Sequence, residues 1–217
     1  LRKKTYKYSD LGYYFIKAII EKQTGQQLED YTAENFYQPM GLTTMGYHPR
    51  YRFSRNRIAP TEQDTAFRDQ LIWGDVHDPG AAMQGGVGGH AGLFSNALDL
   101  GTLMYMLINN GNYGGKNYLD KDTIADFTRC QYCPRNRRGA GFDKPVRSLD
   151  GGPTCDKVSL SSFGHSGFTG TITWADPENG IVYVFLSNRV YPNAENWLIV
   201  KKSIRTEIQD AFYVALK

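Results

Sequence analysis

The sequence predicts an α+β fold, with helices in the first part and an antiparallel sheet covered by a C-terminal helix in the last. Three observations predict it. Apolar residues recur at helical spacing over 10–24 and again beyond Ser95. Thr171-Ile172-Thr173-Trp174-Ala175-Asp176 and the run from Ile181 to Ser187 flank Pro177-Glu178-Asn179-Gly180, the pattern of two strands joined by a turn. Residues 194–216 then carry one long helical stripe. Helices and strands segregated in this way point to α+β rather than to an alternating α/β chain.

Taken in order, the first helix has Leu11, Tyr14, Phe15, Ala18 and Ile19 on one stripe, with Lys22 at its edge. Ser9 or Asp10 is its N-cap, and Gly25 stops it. A second helix is expected over 27–37, with Leu28, Tyr31 and Phe36 inward and Pro39 and Gly41 ending it. Residues 43–94 are rich in Gly, Pro, Asp, Arg and His and show little periodicity. An irregular stretch this long is generally functional. Its end, Gly85-Gly86-Val87-Gly88-Gly89-His90-Ala91-Gly92, is too glycine-dense for a helix or a plain strand. It lets the backbone turn sharply or come close to another group. It is no phosphate cradle, because neither Lys-Ser nor Lys-Thr follows. Ser95 is the expected N-cap of a third helix reaching about Asn109, with Leu98, Leu103, Met104, Leu107 and Ile108 inward. A short helix starts at Asp120, and Gly139 to Val146 is a further strand candidate. In the terminal helix Trp197, Val200, Ile204, Ile208, Ala211, Phe212 and Ala215 make one apolar stripe. This divides one domain into a helical and loop region, about 1–135, and a sheet with its covering helix, about 136–217.

Composition excludes several functions. The chain has 217 residues, of which 41% are hydrophobic, ordinary for a folded protein. Net charge is +3, and Arg135, Arg137 and Arg138 form a tight basic knot, read as a solvated loop. Arg50, Arg52, Arg55 and Arg57 are read the same way. Neither makes the clustered stripe that nucleic acid requires. No run of about 18 apolar residues exists to span a membrane. Cys130-x-x-Cys133 lacks a second ligand pair for zinc and a βαβ context for redox work. These are two thiols in a loop or helix end, with a bond from one of them to Cys155 left open in an oxidising compartment. Asp75, His77 and Asp78 suggest a metal site only by spacing, and ordinary loop hydrogen bonds explain them better.

Two triplets carry the chemistry. Tyr8-Ser9-Asp10 precedes the first helix, and His165-Ser166-Gly167 opens what reads as a strand edge. Gly167 leaves the strand backbone open to a substrate. In this order the triplets resemble the second and third motifs of the serine β-lactamase and penicillin-binding-protein superfamily, in its class C and esterase-like branch. The flanks agree: the glycine-rich stretch running into Leu93-Phe94-Ser95, then Asp176-Pro177 and Ser187-Asn188-Arg189. The resemblance covers essentially the whole chain. It implies a β-lactamase/transpeptidase-like fold, no cofactor and no metal, and one cleft on which both triplets converge.

Residue by residue, the resemblance implies that Tyr8 shuttles the nucleophile's proton. Asp10 stands where many members have Asn, and would accept from the lysine of the first motif without donating to a substrate amide. His165 replaces the lysine that meets a substrate carboxylate, which favours esters or amides over β-lactams. Ser166 would hydrogen-bond substrate, the Phe168 N–H resembles an oxyanion donor, and His90 would line the cleft. The first motif, Ser-x-x-Lys, is missing: no serine of the chain is followed three residues on by lysine. The chain, which begins at Leu1, therefore reads as the C-terminal portion of such a domain and as inactive alone.

The expected function is part of a serine hydrolase of esterase, amidase or D-Ala-D-Ala peptidase type, acting on a small-molecule or peptidoglycan-like substrate outside the bacterial cytoplasm. The alternative is a non-catalytic binding or accessory module, such as one fused to a family 3 glycoside hydrolase (N-acetylglucosaminidase). An exposed sheet edge is a surface on which a second copy would pair.

Overall fold

The computed structural model describes residues 6–133, 136–146 and 152–216, so Arg135 and Ser148 lie outside the described residues. The chain divides into two compact units. One runs to Ser95 and takes in Tyr191–Asn193; the other holds Asn96–Val190 and the chain from Ala194 onward.

In the first unit α1 spans Leu11–Thr24 and stops at Gly25, whose φ of 71° is left-handed and whose N–H returns to the Glu21 carbonyl. The Asp10 side chain does not cap it. The expected apolar stripe turns outward: Leu11, Phe15 and Ile19 are 60%, 70% and 52% exposed. The helix meets its own unit through another face. Lys17 Nζ donates to the Val87 carbonyl at 2.7 Å, and the Tyr14 ring lies 4.9 Å from that of His90. Periodicity located an apolar stripe but did not say which face the rest of the unit occupies.

The helix expected over 27–37 is two helical pieces of different pitch, α2 (Leu28–Thr32) and a π-helical turn (Ala33–Tyr37). Leu28 and Tyr37 are buried, with Met40 and Leu42 beyond them. The stretch read as irregular holds an antiparallel hairpin, β1 (Pro60–Asp64) with β2 (Gln70–Trp73), and a short helix, α3 (Pro79–Met83). Pro60-Thr61-Glu62-Gln63-Asp64 has no apolar alternation, so nothing in its pattern announced a strand. Its turn is pinned by Asp64, which accepts from the N–H groups of Ala66, Phe67 and Arg68 and from Arg68 Nε.

In the second unit α4 spans Ala97–Ile108. Its N-cap is Asn96 rather than Ser95, since the Asn96 side chain accepts from the Asp99 N–H at 2.8 Å. Leu98, expected inward, is 77% exposed. A minimal hairpin follows, β3 (Asn112–Tyr113) with β4 (Lys116–Asn117). Next comes α5 (Lys121–Thr128), capped by Asp120 as its sequence indicates.

Three antiparallel strands, β5 (Phe163–Ser166), β6 (Ile172–Asp176) and β7 (Ile181–Phe185), form the sheet in the order β5-β6-β7. Register sorts their side chains. Phe163, Ala175 and Val182 share one face with His165, and pack with Met104, Leu107 and Ile108 of α4. Ile172, Trp174 and Tyr183 take the other face, with Val158 and with Tyr213 of the terminal helix. This unit is thus helix, sheet, helix. Among the described residues, no strand pairs with the second edge of β7.

The terminal helix is broken into α6 (Leu198–Lys201) and α7 (Ile204–Ala215) at Ser203, whose φ is 50°. It buries Gln209 and Tyr213. Much of the expected stripe, including Trp197, Val200, Ile208 and Phe212, stays more than 40% exposed. The strand candidate at 139–146 is instead a tight excursion. Arg138 bridges Asp143, and Asp143 bridges Gly164 of β5.

Cys130 and Cys133 are bonded to each other, and Cys155 is a buried free thiol. This corrects the open pairing with Cys155, which packs instead with Val158 and Trp174. Among the described residues, no helix is long and apolar enough to cross a membrane.

Candidate active site

In the first unit, Tyr8 lies just before α1 and is 55% exposed. Asp10 and His90 come together around a residue the sequence reading left in a loop, Asp78. One ligand atom from each of the three lies within 4.8 Å of the others. His90 Nε2 is 2.8 Å from Asp78 Oδ1, the same oxygen that accepts the Ala81 N–H and caps α3. The glycines make this approach possible. A Cβ on Gly89 would lie 2.7 Å from the Tyr13 carbonyl oxygen, inside contact distance, so only a glycine lets the loop run this close to α1. Burial pushes the Asp78 carboxyl up. The hydrogen bonds from His90 and Ala81 and the nearby imidazoles outweigh it and leave it below its ordinary value.

Two carboxylates and an imidazole at this spacing suit a cation, whether a metal ion or an ammonium group. Asp75, His77 and Asp78 do not converge. Asp75 pairs with Arg50, His77 with Glu62 and Asp78 with His90.

In the second unit, His165 and Ser166 end β5, and Gly167 and Phe168 lie in the turn beyond it. Gly164 holds this strand close to β6, for a Cβ there would lie 2.2 Å from the Thr173 carbonyl oxygen. Gly167 has a reason of its own to be bare. A Cβ would lie 2.4 Å from Thr171 Oγ1, while its N–H donates to the Thr171 carbonyl. His165 Nδ1 is 2.8 Å from the Ser166 carbonyl, and Nε2 is 3.4 Å from Arg138 Nη1. Arg138 is thus no loop cation in open solvent, which corrects that reading of the basic knot. Its side chain is 21% exposed and pairs with the buried carboxylate of Asp143.

Arg189, in sequence no more than part of a flank, fixes the turn. Its Nε donates to the Phe168 carbonyl and Nη1 to those of Ala194 and Asn196, and its guanidinium stacks 3.6 Å from the Trp197 ring centre. Its own N–H donates to the Thr169 carbonyl. A lone arginine after a strand gave no signal of this.

Known proteins bear on these features. A "Putative D-alanyl-D-alanine carboxypeptidase" of Escherichia coli (strain K12) is 37% identical over 199 residues, covering 84% of this chain and 44% of that protein. The chain therefore spans less than half the length of that curated relative. A β-lactamase structure from Mycobacterium bovis superposes with a TM-score of 0.64 at 18% identity, over 96% of this chain and 65% of the other. A penicillin-binding-protein homologue from Caulobacter crescentus gives 0.61 at 20%, over 85% and 53%. At these identities the structural likeness speaks for the fold, which is β-lactamase/transpeptidase-like. The Beta-lactamase family profile matches residues 3–199, both triplets included, and on that match the chain belongs to the Beta-lactamase family.

Proposed function

We propose that this chain is the C-terminal portion of a serine hydrolase that removes the last residue of D-Ala-D-Ala peptides through an acyl-enzyme, outside the cytoplasm. The observation that carries it is the pair of triplets, Tyr8-Ser9-Asp10 and His165-Ser166-Gly167, within a chain 37% identical to a protein named for that activity.

The nucleophilic serine and its lysine belong to the part of the protein upstream of this chain. The serine oxygen attacks the peptide carbonyl, and its proton passes to Tyr8, which acts as the phenolate with its own proton held by the lysine ammonium. The Phe168 N–H stabilises the oxyanion, a contribution of about 100- to 1,000-fold in rate for one donor. Collapse of the intermediate breaks the C–N bond, and Tyr8 returns the proton to the leaving amine. Water then adds to the acyl-enzyme carbonyl, giving its proton up by the same route, and the serine leaves with the shortened peptide released as its carboxylate. Asp10 holds the lysine ammonium, the kind of cation that the Asp10, Asp78 and His90 cluster suits.

The test uses the full-length protein. A fluorophosphonate probe labels one serine upstream of this chain, and release of D-alanine from an acylated D-Ala-D-Ala peptide is lost when that serine is changed to alanine. Labelling that maps inside residues 1–217 refutes the mechanism. Absence of both labelling and release favours a binding module.

A further inference from the structure

Arg50, Arg52, Arg55 and Arg57 are exposed, as expected of a loop, but each is laid against an aromatic ring. Arg50 lies over Tyr51 at 4.8 Å, Arg52 and Arg57 over Phe53 at 5.2 and 5.0 Å, and Arg55 over Trp73 at 4.4 Å. A guanidinium stacked in this way gives its face to the ring and keeps its N–H edge for an acceptor. Arg50 uses that edge within the protein: Nη1 is 2.7 Å from Asp75 Oδ2, and Nη2 donates to the Tyr51 hydroxyl. Among the described residues, Arg52, Arg55 and Arg57 have no carboxylate partner and no side-chain hydrogen bond.

Arg55 also borders a cavity. With Arg50, Phe53, Ile58, Ile72 and Trp73 it lines a space of about 320 Å³ between this loop and the hairpin of β1 and β2. That is the size of a small-molecule site. The floor is apolar and held in place. Ile58 and Ile72 are buried, and Trp73 Nε1 donates to the Ile58 carbonyl at 2.6 Å, which fixes the indole beneath Arg55. Among the described residues, the one carboxylate lining the cavity is that of Asp75, already paired with Arg50. An apolar floor with an unused guanidinium at its rim suits a molecule with an apolar body and an anionic head. Arg52 and Arg57, both on Phe53, add positive potential that favours a dianion over a monoanion.

We propose that this cavity is a binding site for a phosphate monoester with a flat or apolar body, the phosphate on the Arg55 fork and the body against the floor. Planar guanidinium and phosphate match in two parallel hydrogen bonds. No residue of either triplet takes part, so the inference stands apart from the hydrolase reading and its test reads binding alone.

Calorimetry of the full-length protein, with phenyl phosphate as the probe, is the experiment. Wild type binds phenyl phosphate about tenfold or more tightly than inorganic phosphate, which lacks the body, and than benzoate, which carries a single charge. Arg55→Gln weakens binding by about tenfold or more. Arg55→Lys, a point charge without the fork, recovers part of the loss. Gln70→Glu, at an exposed position lining the cavity, brings in a like charge and weakens binding as well, so the proposal is still decided if Arg55→Gln fails to fold. Arg129→Gln removes an exposed arginine of the other unit and leaves the affinity within about twofold. Failure of wild type to bind phenyl phosphate overturns the proposal, as does binding no tighter than that of inorganic phosphate. Unchanged affinity in both Arg55→Gln and Gln70→Glu overturns it too. An equal loss in Arg129→Gln means diffuse surface charge rather than a site and overturns it, and benzoate bound as tightly as phenyl phosphate overturns the phosphate assignment.

Discussion

The phenol of Tyr213 donates a 2.8 Å hydrogen bond to Asp176 Oδ2, joining the terminal helix to the end of β6. The same carboxylate accepts from the Ser159 N–H and from Asn179 Nδ2, each at 2.8 Å. One buried anion thus holds a loop, a turn and a helix. Tyr213→Phe is expected to cost about 1–2 kcal/mol, and Asp176→Ala, which strands these donors and the Asn179 N–H, about 2–4 kcal/mol. Urea unfolding checks both.

Asp176 also sets an acid limit. Burial pushes its carboxyl up, but the bonds from Ser159, Asn179 and Tyr213 prevail and hold it below the ordinary value. A depressed carboxyl contributes stability that is whole above its unfolded value and is lost as pH falls through its folded one. Stability measured from pH 5 down to pH 2 should fall, and should fall less steeply in Asp176→Asn.

Lys144 acts at the other end of the scale. Burial lowers it to about 8, against the opposing pull of Asp176 and Glu178, and Nζ donates to the Ser161 carbonyl at 2.7 Å. Its folded value lies below its unfolded one, so the unfolded chain binds more protons between them. Stability therefore rises with pH from about 8 to 10.5 on account of this group, by on the order of 2–3 kcal/mol. Lys144→Met should flatten that rise, as thermal melts across the window will read.

The Arg189 guanidinium fixes the turn that holds Phe168. Arg189→Lys keeps a charge but cannot reach the Phe168, Ala194 and Asn196 carbonyls together. Amide exchange at 168–170 should quicken about tenfold in that variant. Unchanged exchange would mean that the strand alone fixes the turn.

Gly89→Ala should push the glycine-rich loop off α1, because its Cβ meets a backbone carbonyl that has no rotamer to change. A loss of about 1–3 kcal/mol is expected. Under the hydrolase activity proposed above, KM and kcat of the full-length protein should both worsen as His90 moves from Asp10 and Asp78.

How far the sequence reached can be traced through particular residues. Gly25, Asp120 and the turn at 177–180 were legible because caps and turns depend on local chemistry. The two triplets were legible by their order along the chain, and the roles assigned to them are the proposal made above. Asp78 and Arg138 were not. Each acquires its place from a partner distant in sequence, Asp78 from Asp10 and His90, Arg138 from His165. The stripes of α1 and α7 were seen but their direction was not, for a period of 3.6 marks a face without naming what it meets. The hairpin of β1 and β2 escaped because Asp64 and Arg68, not apolar alternation, hold it.

Gly164 limits how this region can vary. Relief of its contact with Thr173 would require β5 to part from β6, and with it the residue that follows. A saturation scan of the chain should leave the column for position 164 blank but for glycine. Directed evolution of substrate preference would then have to proceed through the codons for 165 and 166, since the one before them admits no neighbouring solution.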